Sequence, residues 1–134
     1  MLQTILLYVI TVVVFLGLDF FGIKFLVRPV FERHLGDWLM IPPRMVPAAI
    51  FYLFYIAGLL WFVSLPALKA GSPMQALIGG AILGALCYGT YEFTSYAVLH
   101  RWSFEQVVID VAWGSVLTGV CAWAGVVALT GKLA

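Results

Sequence analysis

Charge is what this sequence has least of. Seven Lys and Arg and six Asp and Glu make up 10% of its 134 residues, while 64% are hydrophobic. That is too little polar surface to cover a water-soluble domain of this length, so a soluble enzyme or binding domain is excluded. A net charge of +1 leaves no basic surface for nucleic acid, and none is expected as a partner. Cysteine is limited to Cys87 and Cys121, which fall at different helical depths, so they read as packing thiols rather than a disulfide. The two histidines, His34 and His100, both lie near one boundary of the apolar sequence, where neither reaches the interior to ligate haem. With no HxxxH or CxxC spacing, no metal or other cofactor is assigned. There is also no nucleophile beside an activating base and no nucleotide motif, so the chain is not read as an enzyme.

What fills the chain is apolar sequence, with a mean hydropathy of +1.09. A spanning helix needs about 20 mostly apolar residues, and four runs meet that length: residues 2–27, 45–68, 74–99 and 104–129. The expected fold is therefore all-α, a polytopic membrane protein with four transmembrane helices in an up-down bundle forming a single domain over residues 1–134. The first run has no basic segment before it and no small-residue cleavage signature after it, so it reads as a retained helix.

Punctuation between the runs is clear. Arg28-Pro29 and Pro42-Pro43 bracket a first connection whose FERHLGDWLM segment suits the bilayer interface, with Trp38 as an anchor. Pro66 and the Gly-Ser-Pro at 71–73 mark the second connection. Ser103 followed by Gln106 resembles a capping box, which leaves a very short third connection and a tight hairpin. Lys24, Arg28, Arg33, Arg44 and Arg101 flank the first and third connections, against Lys69 and Lys132 on the other side. Positive residues are retained in the cytoplasm, so both termini are expected on the non-cytoplasmic face.

Asp19, Glu92 and Asp110 interrupt these runs. Each falls about seven to nine residues from the same end of the bundle, so at ~1.5 Å per residue they share one layer roughly 10 to 14 Å deep. A carboxylate inside the membrane costs on the order of 2.5 to 3.5 kcal/mol and normally faces the bundle interior or a wet cavity. Tyr52 and Tyr55 fall near that depth; Tyr88, Ser95 and Tyr96 share a helical face with Glu92, and Trp113 and Gly114 share one with Asp110. The phenols offer hydrogen-bond donors, and Gly114 offers room for a backbone or a ligand. Proton binding, cation binding and capture of an amine-bearing ligand all stay open. The alternative is a set of structural pins, with Asp19 paired to Lys24 and Glu92 or Asp110 paired to Arg28 or Arg101. For Asp110 the positive end of its helix dipole is a further structural reason.

Gly79, Gly80 and Gly84, and on the last run Gly114, Thr118, Cys121 and Gly125, form small-residue faces that read as helix-packing surfaces. Trp61, Trp102 and Trp123 read as interfacial or lipid-facing. A faint repeat places Asp19-Phe20 nine residues before Arg28 and Glu92-Phe93 nine before Arg101.

The stretches YGTYEFTSYAVL, RW and VVIDVAWGSVLTG, with FYLFYIAGLLWFVSLPAL upstream, resemble a family of bacterial inner-membrane proteins known as domain of unknown function 2177. The resemblance implies that Thr90, Tyr91, Asp110, Trp113 and Gly114 belong to its motif, with Asp19 as the acid of the first helix. Glu92 stands where the family pattern has Asp. The candidate ligand-binding set is thus Asp19, Tyr52, Tyr55, Tyr88, Tyr91, Glu92, Tyr96, Asp110, Trp113 and Gly114. The leading expectation is an inner-membrane protein that binds or transports a small or lipid-like ligand at an acidic pocket, as a homo-oligomer and with proton linkage open. The alternative is an accessory subunit of a larger membrane enzyme or redox complex, docked through the glycine faces.

Overall fold

The computed structural model describes residues 1–134 and contains helices and no strands. The first span begins as α1, Leu2–Gly22, passes through a π-helical segment, Ile23–Val27, and continues as α2, Arg28–Leu35. The second runs through α3, Met45–Leu59, a π segment, Leu60–Ser64, and α4, Leu65–Ala70. The third and fourth spans are single helices, α5, Pro73–Val98, and α6, Phe104–Thr130. All four are long and apolar enough to cross a membrane, which is the all-α polytopic bundle expected.

Two proline sites that read as helix ends are instead crossed by helix. A proline ring clashes with the carbonyl four residues earlier and cannot donate to it. For Pro29 that carbonyl belongs to Phe25, and for Pro66 to Phe62, and each lies inside a π segment. The wider π turn makes room for the ring, so the helix continues past it. As a result only the second half of FERHLGDWLM belongs to the connection. Its first half is α2, and Gly36, at φ 53°, adopts the backbone that stops it.

The third and fourth spans form the tight hairpin. Ser103 Oγ accepts from the Gln106 N–H while Gln106 Oε1 accepts from the Ser103 N–H, the reciprocal cap that starts α6 five residues after α5 ends. Small residues then let the two backbones touch: a Cβ on Gly80 would stand 2.8 Å from the Thr118 carbonyl oxygen, and one on Gly119 would stand 2.8 Å from that of Leu77. Ser115 Oγ donates to the Ala81 carbonyl across the same seam at 2.8 Å. The first span packs on another face of α6, where Gly125 lies against Leu7 and Thr11.

Leu7, Phe15, Ile56, Leu59, Leu117 and Cys121 belong to the main core, all within 1% of full burial. Only 31 of 134 residues are buried, so most of the apolar side chains face outward, as in a bundle solvated by lipid tails. The second span is the loosest. Its α4 half packs on the hairpin, while Met45, Val46, Ile50, Phe51 and Phe54 at its start are exposed. That divergence opens space between α3 and α5.

At the hairpin-turn end, α2 docks on the turn itself. Arg101 donates to the Leu35 carbonyl at 3.0 Å and to Asp37 at 2.8 Å, with its guanidinium 4.6 Å over the Trp38 ring. His34 and Arg33 meet Glu105 from the other side. Leu35, Trp102 and Val107 form a second small core beneath these contacts.

Candidate functional site

Each acid is positioned by a different local device. On α1, Gly22 lies one turn beyond Asp19 and has no room for a side chain, because the Trp113 ring occupies the space. The indole stacked there donates from Nε1 to Asp19 Oδ1 at 3.3 Å. Tyr52 of α3 lines the same cavity as this carboxyl. Asp19 is 4% exposed, Asp110 7% and Glu92 fully buried.

Glu92 is held by the hairpin. Trp102, drawn into the small core at the turn, donates from Nε1 to Glu92 Oε1 at 2.8 Å. Asp110, two turns into α6, brings its carboxyl within hydrogen-bond reach of the Glu92 carboxyl. Glu92 Oε2 has no N–H or O–H donor from any other group.

No cation neutralises the three acids. Arg28 pairs with Glu32 at 2.7 Å and Arg101 with Asp37, while Lys24 lies 5.4 Å over the Phe25 ring. None of the ion pairs involves Asp19, Glu92 or Asp110. The structural pins considered from sequence are therefore not formed.

A cavity of about 430 Å³ lies between the spans. Asp19, Ile23, Val27 and Phe31 line it from the first span, Phe51, Tyr52 and Tyr55 from α3, Cys87, Tyr88 and Tyr91 from α5, and Asp110 from α6. Phe51, Cys87 and Tyr91 are among its exposed members, so the cavity opens sideways between α3 and α5. It is a slot with aromatic walls and two carboxyls, of a size typical for small-ligand pockets.

The ten sequence candidates divide accordingly. Asp19, Tyr52, Tyr55, Tyr88, Tyr91 and Asp110 meet at this cavity. Glu92 stands behind Asp110 rather than on the wall. Trp113 supports Asp19, and Gly114 is covered by the Tyr88 ring, so it admits a side chain of this chain rather than a ligand. Tyr96 is on the outside against Phe104. Tyr55 also bonds Thr118 at 2.9 Å, which ties the cavity floor to the hairpin seam.

Sequence reasoning missed Trp102, which is 8% exposed rather than interfacial. Its signal was available: an indole N–H in a turn ten residues from a buried acid needs an acceptor. Cys87 was also missed, although it precedes Tyr88 and stands four residues before Tyr91 on one helix face. The glycine faces are spent within the chain, on the hairpin seam and on the first span.

The family model described as "Predicted membrane protein (DUF2177)" matches residues 4–127, spanning every element that builds this cavity. The chain belongs to the DUF2177 family. It is thus a membrane protein by family as well as by the length and hydropathy of its helices. No curated protein and no solved structure matches it. For this DUF2177 member the chemistry has to be read from the cavity itself.

Proposed function

We propose that this protein binds a small amphiphile in its side-opening cavity, with a cationic or hydrogen-bond-donating head at Asp19 and Asp110 and an apolar tail toward the gap between α3 and α5. One observation carries the reading: two carboxyls without a basic partner stand in a slot otherwise lined by aromatic and apolar side chains and one thiol. Leaving such groups unpaired inside a membrane is costly, and a ligand head supplies the missing partner. The lateral mouth supports a ligand that partitions into lipid. We further propose that the acids lie within the bilayer of a bacterial inner membrane, and that transport, if it follows binding, uses more than one copy, since four helices make a small transporter.

Cys87 provides the test. It lies at the mouth and is exposed, whereas Cys121 is buried. Purified protein in detergent is treated with a maleimide in the presence of decylamine as the probe. Decylamine is expected to slow labelling of Cys87, and Asp19→Asn and Asp110→Asn proteins that elute and melt as the parent does are expected to need at least about tenfold more (~1.4 kcal/mol). Equal protection in both variants, or none in the parent, refutes the reading.

A further inference from the structure

Glu92 has no contact with the cavity, yet it is fully buried and its carboxyl meets that of Asp110, which does line the cavity. Trp102 satisfies Oε1 from behind. Oε2 has no donor. The groups facing this pair are Asp19 from α1, Tyr52 from α3, Tyr88 and Tyr91 from α5, and the Trp102 indole. None of them is basic, and three of the arginines at the hairpin-turn end are engaged elsewhere: Arg28 with Glu32, Arg33 with Glu105 and Arg101 with Asp37.

The geometry points to exchange of one proton on the Glu92–Asp110 pair for one organic cation, a substituted or quaternary ammonium, in the cavity. This rests on the binding reading above and narrows its ligand class. The charge balance is simple. In the empty site one O–H bond is shared by the pair, and the second negative charge is kept out of a dry, uncompensated environment. A cation entering beside Asp110 and Asp19 makes that second charge favourable. The O–H bond then breaks, its electron pair stays on the carboxylate, and the proton leaves to water while the net charge of the site is unchanged. The walls suit such a cation, because Phe51, Tyr52, Tyr55, Tyr88 and Tyr91 bring aromatic rings around the acids, and aromatic faces bind ammonium groups that have no N–H to donate.

The probe is decyltrimethylammonium, which has no dissociable proton, so any proton released comes from the protein. Titration of the full chain in detergent, in two buffers of different ionisation enthalpy, reads binding and proton release together. The expected result is close to one proton released per cation bound, and an affinity that rises up to about tenfold per pH unit while the pair is protonated. Glu92→Gln, which keeps an acceptor for Trp102 and offers Asp110 an N–H, is expected to release no proton and to lose the pH dependence; Glu92→Asp is expected to restore both. Cation binding without proton release overturns the exchange and leaves the cavity reading standing. Neutral decanol binding as tightly as the cation does the same. Failure of the cation, decylamine and decanol alike to bind overturns both.

Discussion

At the residue scale, the least replaceable side chain on these grounds is one with no access to the cavity. Trp102 fills the small core at the turn, packs edge-on against Phe31 and Tyr91, and supplies the Glu92 hydrogen bond. Trp102→Phe keeps most of the ring packing and removes the N–H, leaving a buried carboxyl oxygen without its donor. Such a loss costs about 1–3 kcal/mol. Trp123 also donates an N–H, to the Leu133 carbonyl at 2.9 Å, but at an exposed site, and Trp123→Phe is expected to cost about 0.5 kcal/mol or less. Reversible denaturation of both variants in mixed micelles checks the contrast; equal effects would mean that the Glu92 bond contributes nothing. That Asp19, Glu92 and Asp110 interrupt apolar runs could be read from residue type alone. Which of them faces the cavity could not, because the direction of a side chain depends on how its helix is rotated against its neighbours.

At the element scale, the glycines of the helices are not equivalent. Gly80 and Gly84 are pressed against the backbone of α6, whereas Gly17 and Gly58 have nothing near an added Cβ. Gly80→Ala therefore forces the hairpin apart and is expected to destabilise by about 1–3 kcal/mol. Gly58→Ala meets open space and replaces the residue with greatest backbone freedom, so it is expected to stabilise by roughly 0.5–1 kcal/mol. A thermal or denaturant series in detergent shows whether the signs differ, and the same sign for both would contradict the seam described. The small-residue faces and the Ser103 cap were legible in the sequence because both are local patterns. The helix continuations through Pro29 and Pro66 were not. A proline announces a break in the regular pattern, and only the π turn before it decides whether the helix ends or carries on.

At the scale of the whole molecule, the hairpin-turn end carries Arg28, Arg33, Arg44 and Arg101, and the end with both termini carries Lys69 and Lys132. On the positive-inside rule we propose that the first end faces the cytoplasm. A C-terminal alkaline phosphatase fusion in a bacterial host is accordingly expected to be active, and a fluorescent protein fused there to stay dark; the opposite pattern reverses the proposed orientation. In that proposed orientation the acids stand nearer the cytoplasmic face.

The sequence by itself determined that this chain is four apolar helices and how they alternate, because run length is a property of one chain segment at a time. Only the tertiary structure decided that Asp19 and Asp110 share a cavity, that Glu92 is buried behind its wall, and that Arg28 and Arg101 are paired elsewhere. Those relations depend on the rotation and splay of whole helices, which are set by where glycine lets two backbones meet and where the second span does not close.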